Sequence, residues 1–521
     1  MKKILLITFL SIVANNCIFG QGALYIYKNN VMVYNRAVTD IDSAIYKKPL
    51  ALNDTLFIYK SNALMLKRAV ADIDSVTYFK KNTTITADFT ISNGVGHPYV
   101  FGEQGGPIDN TTATKVKNQG FTFAREGFNM GNDATWCVVP TTTVANYKAN
   151  VNNIQNSATW QWASFNHVSA YNTLNMPIML TMSYCPQWLS SCSPDQRGIP
   201  QDWAVYEDII QKIYLYVKSK YANVKFIEVW NEPTGAFLNL TGSTYTDKLT
   251  AYKDIYYHIA KAIRAVDATI PLGGPTAGDR NFYTWADSML ADSRLTSNIN
   301  FFTYHLYDGN SGTDPVDIAN WQAVAAKYGK PDMPIFMTEW NYAYWLGVTS
   351  MNMESPDAIS YVGRRLTNFY VNHLAGANIY TMSVTSAGDQ MGGIFTNGTF
   401  MPKARTFYLM SKILGLGAGD GALKGTTWTA NDIVTNAGTA LNFNNQKVIW
   451  VTNDTGNSGT VSVIIKGLVA NTVYSAPIYE ASAANTATTV REVVQFTGVA
   501  AGAEGIKFNL PAKSVVGLIV Q

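Results

Sequence analysis

Between Thr84 and Gly417 the sequence alternates between two hydrophobic rhythms, and this restricts the fold more than any other feature of the chain. Short runs rich in β-branched and aromatic residues fall at 85–91, 120–126, 176–183, 224–231, 268–274, 299–305, 333–339 and 377–384. Most are separated by segments whose apolar residues recur at helical spacing. Ile209, Ile210, Ile213, Tyr214, Tyr216 and Val217 mark one such face over 204–221, and Tyr256, Ile259, Ile263 and Val266 mark another over 251–266. A strand and a helix repeated eight times in about 330 residues fit a closed (β/α)8 TIM barrel better than an open dinucleotide-binding sheet. The glycines of "GVGHPYVFGEQGG" also lack the turn-to-helix spacing that cradles a pyrophosphate, which disfavours a nucleotide enzyme.

The flanks follow other rules. Residues 1–20 begin with Lys2 and Lys3, continue through an apolar run too short to span a bilayer easily, and end in small and polar residues. This predicts an export signal, cleaved near Gly20 or Gln21, with a lipid anchor on Cys17 as the alternative. Residues 21–82 hold an internal repeat: "LYIYKNNVMVYNRAVTDIDSAIY" from Leu24 returns as "LFIYKSNALMLKRAVADIDSVTY" from Leu56. Its alternation around Lys-Asn and Lys-Ser turns predicts a small β-rich region of short hairpins. The pair resembles small repeated units near the start of secreted proteins of Bacteroidetes-type bacteria, and so implies a periplasmic, extracellular or cell-surface location. The barrel is assigned to 83–417. Over 418–521, runs such as "TVSVII" and "KSVVGLIVQ" between Asn-Asp-Thr-Gly and Gly/Ala turns predict an antiparallel β-sandwich that supports the barrel, with carbohydrate binding as the alternative role.

Charge and reactive side chains narrow the chemistry. The chain has 39 basic and 36 acidic residues, 37 and 36 once Lys2 and Lys3 leave with the signal, and no dense Lys/Arg cluster, so no nucleic-acid partner is expected. No further membrane-length apolar run follows the signal. Cys185 and Cys192 flank "PQWLSS" and either close a small disulfide loop or remain thiols beside Cys137. His97, His167, His258, His305 and His373 show no zinc-ligand spacing, and no Gly-Xaa-Ser-Xaa-Gly elbow presents a serine nucleophile. Neither a metal nor another cofactor is expected.

Carboxylates remain. "KFIEVWNEPTG" carries the fourth predicted strand to Glu232, and "PIFMTEWN" carries the seventh to Glu339. Active sites of such barrels form at the C-terminal ends of the strands, so two long acids on strands four and seven point toward one cleft. A carboxyl pair ~5–5.5 Å apart suits retaining glycoside hydrolysis, one ~6.5–9.5 Å apart the inverting reaction. If strand alternation runs to its end, Glu228, Trp230 and Glu232 share one side, and Glu228 becomes an interior carboxylate in need of a partner such as Arg125.

"EVWNEP" and "TEWN" resemble the acid/base and nucleophile motifs of the retaining (β/α)8 glycoside hydrolases with paired glutamates on strands 4 and 7, most closely glycoside hydrolase family 39, known for β-xylosidases and α-L-iduronidases. The resemblance covers roughly 95–417. It implies Glu232 as general acid/base and Glu339 as nucleophile, with Asn231 on the sugar 2-hydroxyl. Arg125 matches an arginine that keeps the nucleophile ionised, the alternative being a structural pair with Glu126. His305 and Tyr307 match a His-Xaa-Tyr on strand six, Tyr307 donating to Glu339 and His305 meeting sugar hydroxyls, the alternative being a structural role. Trp188 and Trp340 are candidate sugar-stacking faces or, equally, large apolar core residues. "YTMSVTSAGDQMGG" lacks an aromatic platform, which leaves Asp389 and Gln390 as candidate contacts and puts β-xylosidase specificity in doubt. The substrate implied is an oligosaccharide or polysaccharide of plant, algal or host origin. Two rivals stand beside this reading: an endo-acting β-glycanase, favoured by a long open groove, and a weakly catalytic glycan-binding protein, favoured by glutamates more than about 9 Å apart.

Overall fold

A computed structural model describes residues 83–521 apart from 106–108, 130–137, 151–152, 154, 309–312, 343–352, 354, 385–394, 397–398, 430–432 and 498–504, together with the backbone of six strands before residue 83. Eight parallel strands close into a barrel: β1 (Gly102–Gln104), β2 (Phe123–Asn129), β3 (Ile178–Ser183), β4 (Val224–Val229), β5 (Leu272–Ala277), β6 (Phe301–Tyr307), β7 (Ile335–Asn341) and β8 (Gly376–Tyr380). Closure comes where β8 pairs with β1, Asn378 opposite Gly102. A helix follows each strand, and the helical periodicities match. Trp203–Lys220 buries Ile209, Ile210, Ile213, Tyr214 and Val217, while Lys248–Arg264 buries Tyr256, Ile259 and Ile263. Asp202 and Asp247 cap these two helices by accepting the Val205 and Thr250 N–H groups at 3.0 and 2.8 Å. Lys218, Lys220, Lys261 and Arg264 lie in the last turns, where cations complement the helix dipole.

The strand predicted over 85–91 is not the first barrel strand. Thr83–Gly96 belongs to the flanking domain, between Gly421–Trp428 and Gly459–Lys466, so the segment 83–417 opens with a strand of the sandwich. The reason is visible in burial: Thr83–Phe89 alternates buried and half-exposed residues, whereas β3 and β5 are buried throughout, as strands covered on both faces must be. The flanking sheet has nine strands and is antiparallel save for the Thr83–Gly96 and Gly459–Lys466 pair. Its two halves roll over a common core that includes Ile85, Ile449, Val463, Ile478 and Leu518.

Lys447–Asn453 shows how this domain is joined to the barrel. Ile449 and Val451 face the sandwich core, while Val448 and Trp450 enter the barrel's outer core. The Trp450 indole N–H donates to Thr367 Oγ1 at 3.0 Å on the helix Ala358–Val371. Gly363 on that helix lies so close to Val515 that a Cβ would fall 2.2 Å from its Cγ2. Such close packing makes the sandwich a structural support of the barrel wall.

Before residue 83, each repeat forms a hairpin, Gly22–Lys28 with Val31–Ala37 and Thr55–Lys60 with Ala63–Ala69. The third strand of each repeat pairs with the first strand of the other, giving two three-stranded sheets. Among the described residues no helix is long and apolar enough to cross a membrane. Cys185 and Cys192 are not bridged to each other, both thiols donating to carbonyls of the turn 195–198; Cys137 lies outside the described residues.

The barrel interior is layered by the two-residue strand period. Its N-terminal end is plugged by Phe123, Met179, Phe226, Phe301 and Phe336, with Tyr99 stacked on Phe123 at 4.8 Å. Phe226 meets Phe301 and Phe336 edge-on at 5.6 and 5.1 Å, contacts of about 0.5–1.5 kcal/mol each beyond area burial. Two residues further along β2, β3, β4 and β6 come Arg125, Thr181, Glu228 and Thr303, all fully buried and polar. An apolar floor thus excludes water beneath a charged layer.

Candidate active site

Neither glutamate reaches the cleft by simple alternation. Between β6 and β7, Tyr304 pairs with Met337 but His305 pairs with Glu339, so Thr338 is an inserted residue. This β-bulge reverses the parity of β7. Met337 below it faces outward, where Arg365 donates to its sulfur; Glu339 turns inward and Trp340 outward. β4 stops its alternation at Val229. Trp230 (φ +68°) and Glu232 (φ +43°) then adopt the left-handed region, which costs energy for any residue with a Cβ. The expectation that Trp230 shares a side with Glu228 and Glu232 therefore fails. Its indole is buried in the outer core, donates to the Phe237 carbonyl at 2.8 Å and meets Tyr184 edge-on. The same turn carries Glu232 back over the mouth, with its side chain one-fifth exposed.

One oxygen of Glu232, one of Glu339 and a ring nitrogen of His305 lie within 4.8 Å of one another. His305 Nδ1 is 2.7 Å from Glu232 Oε1 and 3.4 Å from Glu339 Oε2, so one imidazole nitrogen sits between the two acids. Zinc ligands at 2.0–2.1 Å around a tetrahedral ion stand about 3.3 Å apart, and the 2.7 Å contact is instead the length of a hydrogen bond.

Glu339 is the most heavily solvated carboxylate of the site, by protein rather than water. Arg125 Nη1 donates to its Oε1 at 2.6 Å, Gln104 Nε2 to the same oxygen at 3.0 Å, and the Tyr307 hydroxyl to Oε2 at 2.6 Å. Burial pushes its pKa up, but His305, Arg125, Tyr307 and Gln104 together outweigh that and hold it below the ordinary carboxylate value. Arg125 is itself fixed on every side: its Nε donates to Glu228 Oε2 at 2.6 Å, and Nη2 to Asn231 Oδ1 at 3.0 Å. Burial opposes the charge on Arg125, but Glu228 and Glu339 raise its pKa further. Thr181 supplies Glu228 with a second donor at 2.8 Å.

Glu232, Glu339, Asn231, Arg125, His305 and Tyr307 therefore meet in one constellation. Arg125 pairs with Glu228 and Glu339 and not with Glu126, whose neighbour is His167 at 3.7 Å on the outside of the barrel. The His305 side chain is fully buried beneath the two carboxylates rather than exposed to a sugar. Trp340 is no stacking face either. The bulge sends it outward against Phe369 at 5.3 Å and Arg365 at 5.4 Å, fully buried. Trp188 stacks on Tyr147 at 5.6 Å, over a residue hydrogen-bonded to the helix Trp203–Lys220. Asp389 and Gln390 lie outside the described residues. Sequence reading missed Gln104, which bridges Arg125 and Glu339; Tyr184, whose hydroxyl meets the Asn231 side chain; and Asn341, whose amide holds the Tyr380 carbonyl at 2.6 Å. Gln104 was findable only with β1 correctly placed, since it then pairs with Arg125.

No family model matches the sequence, and no curated protein matches it. Solved structures do match in fold. A family 39 glycoside hydrolase (GH39) from Xanthomonas axonopodis pv. citri superposes with a TM-score of 0.61 at 15% identity, covering 84% of this chain and 97% of that one. A monomeric β-xylosidase from Caulobacter crescentus CB15 gives 0.62 at 15% identity, covering 84% and 99%. A GH30 endoxylanase from Clostridium papyrosolvens C71 gives 0.58 at 14% identity, covering 84% and 99%. At these identities what is shared is the architecture, a (β/α)8 barrel carrying a β-sandwich.

Proposed function

We propose that this chain is a retaining glycoside hydrolase that cleaves its substrate by double displacement, with Glu339 as nucleophile and Glu232 as acid/base. The observation that carries the reading is the pair itself: carboxylate oxygens within 4.8 Å at the ends of β4 and β7, in opposite settings. That separation matches direct attack and leaves no room for the water of an inverting mechanism. It also speaks against a binding protein with widely spaced acids. Glu339, clamped by Arg125, Gln104 and Tyr307, holds a negative charge ready to attack the anomeric carbon. Glu232, more exposed, hands its proton to the leaving oxygen and then takes one from the water that breaks the glycosyl-enzyme. Asn231, its Oδ1 held by Arg125, is directed toward the sugar 2-hydroxyl beside Glu339.

The names of the structural neighbours, β-xylosidase and endoxylanase among them, support a glycan as substrate, of plant, algal or host origin. The leader at 1–20 and the repeats at 21–82 support export. The test is a screen of aryl glycosides and polysaccharides with intact protein, Glu232→Gln and Glu339→Gln. Turnover of at least one substrate is expected, falling by on the order of 10⁴-fold or more in Glu339→Gln and about 10²–10⁴-fold in Glu232→Gln. Undiminished activity in both variants removes the assignment.

A further inference from the structure

Glu232 is placed by a bulge in the neighbouring strand. Between β5 and β6, Pro275 pairs with Thr303 and Ala277 with Tyr304, which leaves Thr276 outside the ladder. Thr276 has φ +55°, a conformation strained for a β-branched residue, and it is fully buried. Three side-chain hydrogen bonds hold it there. Thr303 Oγ1 accepts the Thr276 N–H at 2.9 Å and donates to Thr276 Oγ1 at 3.2 Å; Thr276 Oγ1 in turn donates to the Val229 carbonyl at 3.2 Å. The backbone ladder between β4 and β5 ends lower down, with Glu228 opposite Gly273. Above that point, Thr276 joins the two strands. Its carbonyl, turned toward β4, accepts the Glu232 N–H at 3.0 Å.

The geometry points to Thr303 and Thr276 as positioning residues for the acid/base: the Thr303 hydroxyl fixes the bulge, and the bulge fixes the backbone from which Glu232 reaches the leaving oxygen. This inference rests on the role proposed for Glu232. Valine at 303 would keep much the same bulk but leave the buried Thr276 N–H without its acceptor, so the bulge would lose the bond that fixes it. Gly278 completes the seat, since a Cβ there would lie 3.3 Å from Glu232 Cδ. A proton donor must sit within hydrogen-bond reach of the oxygen it protonates, and displacement of about 1 Å costs up to 10²-fold.

The experiment compares leaving groups on the glycone that the substrate screen identifies. A 2,4-dinitrophenyl glycoside needs little protonic assistance, whereas a methylumbelliferyl or alkyl glycoside needs much. Thr303→Val is expected to lower kcat/KM by about 10–10²-fold on the poor leaving group and by less than about threefold on dinitrophenol. Thr303→Ser, which keeps the hydroxyl, is expected to restore most of the loss. Equal loss on both leaving groups, or no loss on either, overturns the inference. Should Thr303→Val fail to fold, Thr276→Val, which deletes a different hydroxyl of the same relay, is read by the same two outcomes. Glu232→Gln is run alongside. If that variant shows no leaving-group selectivity, the acid/base assignment itself fails, and the two failures are told apart.

Discussion

The wall formed by β1 and β2 separates two groups of buried carboxylates that meet opposite fates. Gln104 and Arg125 are register partners facing the barrel interior, where Arg125 serves Glu228 and Glu339. Their chain neighbours Glu103 and Glu126 face outward, under the helix Asn166–Thr173 that carries His167 and Tyr171. Glu103 is fully buried, accepts a hydrogen bond from the Tyr171 hydroxyl, and has no partner for Oε2. Burial pushes its pKa up to about 8, and the tyrosine offsets this only in part. Glu339 is also buried, yet its pKa is lowered. Burial alone therefore does not decide whether an acid in this barrel is charged. A guanidinium and several converging donors tip the balance at Glu339, and Glu103 has neither.

The largest effect is expected at Arg125. Arg125→Met leaves Glu228 and Glu339 without their shared cation, so stability should fall by ~3–5 kcal/mol in denaturant melts and hydrolysis should be lost. Adding Glu228→Gln should recover part of the stability but not the activity; recovery of both would mean Arg125 does not serve Glu339.

A smaller effect is expected at Tyr307. A carboxylate with a lowered pKa keeps its charge as pH falls until that pKa is passed, so an acidic limb set by Glu339 lies below its ordinary 4.5. Tyr307→Phe removes one donor, and the acidic limb of kcat/KM should move up by about half to one unit, with kcat reduced about tenfold. An unmoved limb would assign it to another group.

On the outer face the sign reverses. Glu103 binds its proton more tightly folded than unfolded, so its contribution to stability is present below pH 4.5 and is lost as pH rises toward 8. Glu103→Gln should leave melting nearly unchanged at pH 5 and raise it by roughly 2–5 °C at pH 9. Smallest of all, Trp340→Phe should lower stability modestly and leave KM within about twofold, because the indole packs behind the wall; a large rise in KM would return it to the cleft.

Much of this arrangement was legible in the residues. Seven of the barrel strands announce themselves as short runs rich in apolar residues, and Glu232 and Glu339 stand at the ends of two of them. The first strand did not, because Gly102–Gln104 is three residues long and carries no apolar side chain, while the longer alternating run at 85–91 belongs to the sandwich. Trp340 stayed open between cleft and core because the bulge at Thr338 leaves no mark in composition; strict alternation from Phe336 would have put the tryptophan inside. His305 was located correctly but not at the right depth, since periodicity tells which face a side chain takes and not what covers it. Thr276 and Thr303 gave no sign at all. Their importance lies in a missed ladder position and a positive φ, which arise only when β4, β5 and β6 are assembled.

Double displacement requires that Glu339 attack the sugar directly. Proton NMR of the first-released sugar, followed before mutarotation on whichever aryl glycoside is turned over, tests that claim most directly. Two displacements at a pair this close predict that the product first appears with the anomeric configuration of the substrate. An initial product of inverted configuration would mean that water, not Glu339, meets the anomeric carbon, and would contradict the account.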